Sequence, residues 1–395
     1  MAITNKEEGV WGIEQVYNKI NQGSIWDYDG TGGAFVWGIN NMGELGLNQP
    51  SQSYHSSPVQ LPGNWGTIKG GSSVTHGVKS DGTLWAWGRN DQGRLGVNQP
   101  TSSKYSSPVQ IPGTTWSTDR KKLSNNGGIG GAAIKTSGEL WMWGQNNKGQ
   151  LGQNNTDDTL SPVQIPGTNW NIISNSYNGQ FGIKTDGTLW SWGWNDNGTY
   201  GGLLGHNNKT NYSSPRQVGS DTTWDDVVVL GTSDSVIAHK TDGTLWSWGY
   251  NGNGQLGHSN KSNYSSPEQI NGTTWSGSGY GIAGGSQYTY ALKTDGTLWS
   301  WGYNSFGGLG QNNRTEYSSP RQVGSDTTWS KVTSRGRSVY AIKTDGTAWA
   351  WGNNIHGQLG LNTQGDHRSS PAQIPGTDWD IMDSGSNHGL ARQIL

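Results

Sequence analysis

The feature that most constrains the fold of this chain is a tetrapeptide that occurs seven times along its 395 residues. It reads Trp-x-Trp-Gly in six copies and Phe-Val-Trp-Gly in the first, and a Leu-Gly pair follows each copy. The tryptophan before the glycine recurs about every 52 residues, as Trp37, Trp87, Trp143, Trp192, Trp248, Trp301 and Trp351. A constant period of this length is typical of repeat proteins, so we interpret the chain as one repeat architecture.

Two further motifs keep the same period. Ser-Pro-x-Gln occurs once per repeat, with its proline at Pro58, Pro108, Pro162, Pro215, Pro267, Pro320 and Pro371. A second class of tryptophan follows it, at Trp65, Trp116, Trp170, Trp224, Trp275, Trp329 and Trp379. The periodicity therefore extends over nearly the whole chain.

Each repeat is predicted to be a set of short β-strands. Asp81-Gly82 stands before an apolar run, and Asp-Gly favours a two-residue hairpin because glycine accepts the positive φ of the turn. The dipeptide recurs at Asp186-Gly187, Asp242-Gly243, Asp295-Gly296 and Asp345-Gly346, with Ser137-Gly138 as a variant. Frequent glycine and proline exclude long helices after residue 30, so the repeats indicate an all-β fold.

The two ends of the repeat region complement each other. The last segment, from Trp379 to Leu395, matches the segment that begins at Trp65 but stops where the Asp-Gly hairpin should turn. The first repeat begins at Thr31, just beyond that missing turn. A blade built from strands of both termini would close the ring and leave few exposed strand edges. The two partial repeats at the ends would supply the strands of such a blade. We predict an all-β, seven-bladed β-propeller over residues 31–395, closed by pairing of its N- and C-terminal strands.

These repeats resemble the regulator of chromosome condensation repeat family. The shared motifs are Trp-Gly-x-Asn-x-x-Gly-Gln-Leu-Gly and Asp-Gly-x-Leu-Trp-x-Trp-Gly, and they cover about residues 31–395. The resemblance implies a seven-bladed propeller, but no single function. The family includes a nucleotide exchange factor for a small nuclear GTPase, chromatin binders, ubiquitin-ligase modules and many bacterial and viral proteins. We interpret this chain as a viral, tailed-phage or bacterial member.

Two departures from the family bear on function. The histidine that is usual on the inner strand is not repeated, since its positions hold His76, Ala132, Phe181, Ile237, Tyr290, Tyr340 and His388. The founding member's basic tail is also missing, because residues 1–10 carry one lysine and two glutamates. These departures count against a shared histidine ligand and against a chromatin role.

The first 30 residues lie outside the repeat and are predicted to form a separate N-terminal arm. Their apolar residues, Ile13, Val16, Tyr17 and Ile20, have the spacing of a short amphipathic helix, and Trp11 precedes them. The opening residues resemble leaders of tailed-phage virion proteins that carry such repeats. The arm either folds back on the propeller or docks into a partner assembly.

Composition excludes several classes of function. The net charge at pH 7 is -2, so the chain has no basic excess with which to bind nucleic acid. It has no run of about 18 apolar residues, so we expect no membrane insertion. It has no cysteine, which removes disulfides and thiolate metal sites. The 23 tryptophans and 15 tyrosines supply the apolar surface for a folded core.

We find no pattern typical of catalysis or of metal binding. Glycoside hydrolysis would need two carboxylates a few ångströms apart, and acidic residues are sparse and mostly fall in predicted turns. Asp27 and Asp29 begin like a calcium loop, but Gly38 stands at its twelfth position. His206 and His258 share a repeat position and are interpreted as polar loop residues rather than a metal pair. We therefore predict no enzyme activity, no metal and no cofactor.

The candidate ligand site rests on a position that varies between repeats. The residue after Trp-Gly is aromatic in three consecutive repeats, as Trp194, Tyr250 and Tyr303, and an insertion in the fourth repeat adds Tyr200. Exposed aromatic rings among amide side chains suit sugars, although these rings could instead pack between blades.

Six lysines also share a position, two residues before the hairpin turns. They are Lys79, Lys135, Lys184, Lys240, Lys293 and Lys343. We expect them to be solvated turn residues that pair with the nearby aspartates, with an anion-binding ring as the alternative.

These observations lead to a predicted non-enzymatic binding and structural role. The main hypothesis is a phage virion component, such as a tail fibre, tail tip or capsid decoration. It would dock on other virion or assembly proteins by the arm and adhere to surface polysaccharide. The alternative is an intracellular, cytoplasmic protein-interaction regulator of the small-GTPase exchange-factor type.

Overall fold

The computed structural model describes residues 33–49, 53–99, 101–125, 130–196, 201–231, 234–277 and 279–394. Their strands form seven antiparallel sheets of four strands each, which confirms the predicted all-β, seven-bladed propeller. Within the described ranges, the only helical segments are two short 3-10 turns, Asp91–Gly93 and Arg120–Lys122. The predicted helical arm and the residues named on it, Trp11 to Ile20, lie outside the described residues.

Each sheet is one blade. Blade 1 contains β1 (Ala34–Ile39), β2 (Tyr54–Leu61), β27 (Trp379–Ser384) and β28 (His388–Gln393). Blade 2 contains β3 (Trp65–Gly70), β4 (Val74–Lys79), β5 (Leu84–Arg89) and β6 (Lys104–Ile111). Blade 3 contains β7 (Leu123–Asn125), β8 (Gly130–Ile134), β9 (Leu140–Gly144) and β10 (Thr159–Gln164). Blade 4 contains β11 (Trp170–Asn175), β12 (Gly179–Lys184), β13 (Leu189–Gly193) and β14 (Tyr212–Gln217).

The remaining blades follow the same order. Blade 5 contains β15 (Trp224–Leu230), β16 (Ser235–Lys240), β17 (Leu245–Gly249) and β18 (Tyr264–Ile270). Blade 6 contains β19 (Ile282–Gly284), β20 (Tyr288–Leu292), β21 (Leu298–Gly302) and β22 (Tyr317–Gln322). Blade 7 contains β23 (Trp329–Ser334), β24 (Ser338–Lys343), β25 (Ala348–Gly352) and β26 (Arg368–Gln373).

Blade 1 combines strands from both ends of the described chain. β1 pairs antiparallel with β28 over five residue pairs, with Val36 opposite Leu390. β28 pairs in turn with β27, and β1 pairs with β2. The four strands have the order β2-β1-β28-β27, so two of them come from each end.

The antiparallel order gives the propeller two different faces. The turns from first to second strand and the long loops from third to fourth strand leave each blade on one side, which we call the loop face. In blade 2 these are residues 71–73 and 90–103. The Asp-Gly turns and the connections to the next blade leave on the other side, the hairpin face.

The recurring Asp-Gly-Thr-x-Trp motif builds the turns of the hairpin face. Asp81 Oδ1 accepts hydrogen bonds from the backbone nitrogen and the hydroxyl of Thr83, at 2.9 and 2.6 Å. Thr83 Oγ1 accepts a third from Trp85 Nε1 at 2.8 Å, while Gly82 takes the positive φ of the turn, 78°. In blade 3, Glu139 replaces the threonine, and the buried Trp141 Nε1 has no hydrogen-bond partner. The motif therefore couples the turn to the tryptophan that follows it.

In each repeat, the tryptophan of the Trp-Gly pair is fully buried and joins one blade to the next. Trp87 of blade 2, for example, donates from Nε1 to the carbonyl of Glu44, in the loop after β1, at 2.9 Å. Equivalent bonds are made by Trp143, Trp192, Trp248, Trp301 and Trp351. Trp37 of blade 1 donates in the same way to Gln358 of blade 7, at 2.7 Å. A buried indole N–H usually has a hydrogen-bond partner in proteins, and for these seven tryptophans the loop of the preceding blade provides it.

Candidate functional site

The predicted ligand-binding aromatics lie on the loop face. Trp194, Tyr250 and Tyr303 directly follow the third strands of blades 4, 5 and 6, and all three are half-buried. The backbone N–H of each of these aromatics donates a hydrogen bond to a carbonyl oxygen in the turn between the first two strands of its own blade, at 2.9 to 3.0 Å. The described residues include no ring contact between any two of them. Tyr200 lies outside the described residues.

The local surroundings of these aromatics combine rings with cations. Lys148 Nζ, from the preceding blade, lies 4.9 Å from the centre of the Trp194 ring. Tyr303 is beside Phe306, with ring centres 6.5 Å apart. The Arg337 guanidinium lies 4.7 Å from the centre of the Phe306 ring. Cationic side chains therefore lie against Trp194 and Phe306, so these two rings are not bare platforms.

The sequence prediction missed other members of this surface. Tyr177, in the turn between β11 and β12, is 50% exposed, and Ile355, in the loop after β25, is 45% exposed. Arg337 is also exposed, in the turn between β23 and β24. The signal for them was available, because these positions belong to the turns and loops that vary between repeats.

The six repeated lysines form no ion pair within 4.0 Å with an aspartate of their own hairpin turn, although the sequence predicted such pairs. In the Asp-Gly turns, Oδ1 of the aspartate accepts the hydrogen bonds of the following threonine. Each ammonium lies instead against two tryptophan rings. Lys184 Nζ is 5.0 Å from the Trp170 ring centre and 3.9 Å from that of Trp190. Five further lysines repeat this arrangement: Lys79, Lys135, Lys240, Lys293 and Lys343. Their contacts make them part of the packing.

Three of these lysines also make ion pairs. Lys135 Nζ lies 3.7 Å from Glu139 in its own hairpin turn. Lys240 and Lys343 each approach an aspartate of the preceding interblade connection, Asp221 and Asp326, at 2.5 Å. Hydrogen bonds from Lys343 and from Thr328 lower the pKa of Asp326 to about 2. Such contacts strengthen the packing role of these lysines.

The two histidines that share a repeat position, His206 and His258, contact serines of their own blades. His206 Nε2 lies 2.9 Å from Ser191 Oγ, and His258 Nε2 lies 2.8 Å from Ser247 Oγ. Burial lowers the pKa of His206 to about 4, so it is neutral near pH 7. Within the described ranges, no group of three or more potential metal-ligating side chains is close enough to hold an ion.

A charged cluster occupies the centre of the propeller. Arg120, from the 3-10 turn before β7, reaches across the channel and donates to Asp383 Oδ2 at 3.1 Å and to Thr333 Oγ1 at 2.8 Å. Its guanidinium also lies 4.4 Å from the ring centre of Tyr280. Lys69 is 3.4 Å from the same oxygen of Asp383. Although burial favours the protonated acid, Lys69 and Arg120 hold the pKa of Asp383 below its usual value.

Two inserted segments bring this cluster into the channel. Trp116 and Lys135 are 19 positions apart, whereas the equivalent Trp65 and Lys79 are 14 apart. The extra residues include Arg120, and they leave the inner strand β7 with three residues. A similar insertion before β19 carries Tyr280. The spacing between repeat positions was thus a usable signal that the sequence prediction did not exploit.

The helices of the described residues include none that is both long enough and apolar enough to cross a membrane. A family model for the regulator of chromosome condensation (RCC1) repeat matches residues 81–119, 137–175, 242–292, 295–339 and 345–391. Together these segments cover more than half of the chain. A related model of the same repeat matches residues 281–307.

Several curated proteins are similar to parts of the chain. The ultraviolet-B receptor UVR8 of Arabidopsis thaliana is 30% identical over 191 residues, which are 48% of this chain and 43% of the receptor. The human E3 ubiquitin-protein ligase HERC2 is 27% identical over 301 residues, 74% of this chain but 6% of the ligase. The chain therefore spans less than half the length of these relatives.

Two solved structures share the fold over almost the whole chain. Prp20p of Saccharomyces cerevisiae, whose structure was described together with its binding to Gsp1p and histones, superposes with a TM-score of 0.75. It is 19% identical, and the match covers 93% of this chain and 92% of Prp20p. Human WBSCR16 superposes with a TM-score of 0.76 at 20% identity, covering 91% of this chain and 99% of that one.

Proposed function

Because the chain belongs to the regulator of chromosome condensation (RCC1) repeat family, we propose that it is a non-catalytic propeller that binds a partner protein. The sequence had suggested such a role, as an intracellular protein-interaction regulator, as the alternative to a phage virion component. The relatives found here favour it over a virion role, for which they offer no support. They likewise give no support to glycan binding.

The observation that carries this proposal is the composition of the loop face. It combines exposed or half-buried Tyr177, Tyr303, Trp194 and Ile355 with Arg337. Tryptophan, tyrosine and arginine are enriched at the centres of protein interfaces, because they bury large areas and retain a polar group. The hairpin face repeats Asp-Gly-Thr turns whose polar groups already bond one another. We therefore place the partner on the loop face.

A co-purification experiment tests this placement. Tagged full-length protein would be recovered from the cells that produce it, as wild type, as Tyr177→Ala with Tyr303→Ala, and as Ser80→Arg on the hairpin face. We expect a protein to accompany the wild type and the Ser80→Arg variant, and to be lost from the double variant. Retention by the double variant together with loss from Ser80→Arg would place the partner on the opposite face.

A second candidate is nucleotide exchange on a small GTPase. It is favoured by the likeness to Prp20p, whose described properties include binding to Gsp1p. Release of labelled GDP from Gsp1p should be faster in the presence of this protein if the candidate is right. An unchanged release rate would remove exchange on this GTPase and leave the general protein-binding proposal to the co-purification test.

We also propose that blade 1 closes the ring and that residues 1–30 form a separate arm used for docking. The pairing of β1 with β28 and the hydrogen bond from Trp37 to Gln358 support closure. The helical spacing from Ile13 to Ile20 supports the arm. Deleting residues 1–30 should leave the melting temperature unchanged while weakening co-purification. A large fall in melting temperature would instead mean that the arm packs on the propeller.

A further inference from the structure

The centre of the propeller holds more positive than negative charge. Two of the cations that line its cavity, Lys69 and Arg120, converge on the carboxylate of Asp383, as described above. A third, Arg335, lines the same cavity from the turn between β23 and β24. Lys121 and Asp226, also in the lining, form a separate pair at 3.5 Å. One carboxylate thus faces three cations.

Arg335 is the cation without a partner. Among the described residues, its guanidinium forms no ion pair within 4.0 Å and no hydrogen bond, whereas Arg120 makes both. The charge of Arg335 nevertheless lies close enough to Lys69 and His388 to lower the pKa of each. Its side chain lines the cavity, and the residue is only partly exposed to solvent.

An uncompensated cluster of this kind is costly inside a protein. Burial opposes the charged form of a cation, and like charges oppose it further. Both effects are present here, because burial and the nearby Arg120 lower the pKa of Lys69 to about 8. Burial similarly lowers the pKa of Arg335 to about 10. A bound anion would compensate the surplus charge.

A second observation in the same cavity points to a ligand with acceptor oxygens. Asn175 lines the cavity, is 4% exposed, and leaves its amide Nδ2 without a hydrogen-bond partner. Buried amide donors are normally bonded, so an unpaired one beside a surplus of cations indicates a missing acceptor. The cavity volume of about 90 Å³ suits a ligand of only a few atoms.

We propose that the central cavity binds a small oxyanion, such as inorganic phosphate or a carboxylate, between Arg335 and Lys69. Arginine donates two parallel N–H groups to such an anion, and lysine adds a point charge. This site is distinct from the protein-binding loop face and does not depend on it.

Calorimetric titration of the full-length protein tests the site, with phosphate in one series and acetate in another at constant ionic strength. We expect saturable binding of at least one anion to the wild type. Arg335→Gln should weaken it by about tenfold or more, the usual effect of losing a charged hydrogen-bonding group. Arg368→Gln, exposed on the outer strand β26 and away from the cavity, is the matched control and should bind like the wild type. The anion that binds more tightly shows whether the site prefers phosphate or a carboxylate.

The same variants separate a site from a general salt effect. A specific anion should raise the melting temperature of the wild type at millimolar concentration and fail to do so in Arg335→Gln. Equal rises in both proteins without saturation would indicate an excluded salt and would overturn the proposal, as would an absence of binding. Should Arg335→Gln not fold, Lys69→Gln replaces it, with the same weakening expected and wild-type affinity again counting against the site.

Discussion

At the scale of single residues, the lysine between two tryptophan rings is a repeated source of stability. Six blades have it, and blade 1 replaces the lysine with Gln393 and one of the rings with Phe35. The lysine therefore occurs where both rings are tryptophan, the best cation–π acceptor. This correlation within one chain indicates that a pair of tryptophan rings favours a lysine at this repeat position.

Lys184 offers a clean measurement of this contact, because its ammonium approaches Trp170 and Trp190 and takes part in no ion pair within the described ranges. Lys184→Met keeps most of the apolar stem and removes the charge. We expect the free energy of unfolding to fall by about 0.5–2 kcal/mol in urea. Lys104→Met, on the exposed end of β6, is the control and should change little. Equal effects of the two substitutions would assign the loss to something other than the rings.

Buried histidines make the fold sensitive to acid. Burial lowers the pKa of His76 to about 3 and of His388 to about 4, both below the value of an unfolded chain. Their contribution to stability is therefore complete above about pH 6.5 and decreases as the pH falls, because the unfolded state takes up protons first. His76→Phe should reduce the loss of unfolding free energy between pH 7 and pH 5 by about 2 kcal/mol. The same pH dependence in both proteins would show that His76 does not titrate in this way.

At the scale of elements, two tryptophans at the end of β13 have opposite environments. Trp192 is fully buried and donates to the carbonyl of Gln150, whereas Trp194 is half-buried on the loop face. Trp192→Ala should cost about 3–5 kcal/mol of unfolding free energy, since it opens a cavity and leaves a carbonyl unpaired. Trp194→Ala should cost much less. Chemical denaturation compares the two, and equal losses would contradict the assigned burial.

The elements that the sequence could predict are those with local signals. Asp81-Gly82 and its equivalents define hairpins because the turn is stabilised within a few residues, by Thr83 and by the glycine φ. The charged cluster could not be derived in this way. Arg120 and Asp383 are 263 positions apart, and their contact depends on how far an inserted segment reaches into the channel. Insertions are visible in sequence spacing, but their direction depends on tertiary packing.

Alternation along a strand does not separate buried from exposed residues in this fold. The consecutive residues Leu84, Trp85, Ala86 and Trp87 of β5 are an example. Three of these four side chains are buried, because each blade is covered on both sides by its neighbours. The aromatic site residues are a related case. Their equivalent positions were evident from the repeat, whereas the cations beside them came from neighbouring loops.

At the scale of the whole molecule, the proposed closure makes stability depend on blade 1. Removing residues 379–395 deletes β27 and β28, exposing the edge of β1 and the buried Phe35 and Trp37. We expect the truncated protein to lose its cooperative thermal unfolding transition. Removing Ile394 and Leu395 alone leaves β28 intact and should have little effect. An unchanged melting temperature after the larger deletion would contradict closure by blade 1.

Protein binding at the loop face can be tested by site-specific photo-crosslinking in the producing cells. A photoreactive phenylalanine analogue would replace Tyr177 on the loop face in one protein and Ser80 on the hairpin face in another. We expect a discrete crosslinked protein from position 177 and none from position 80. Crosslinks from position 80 alone, or from neither position, would contradict it.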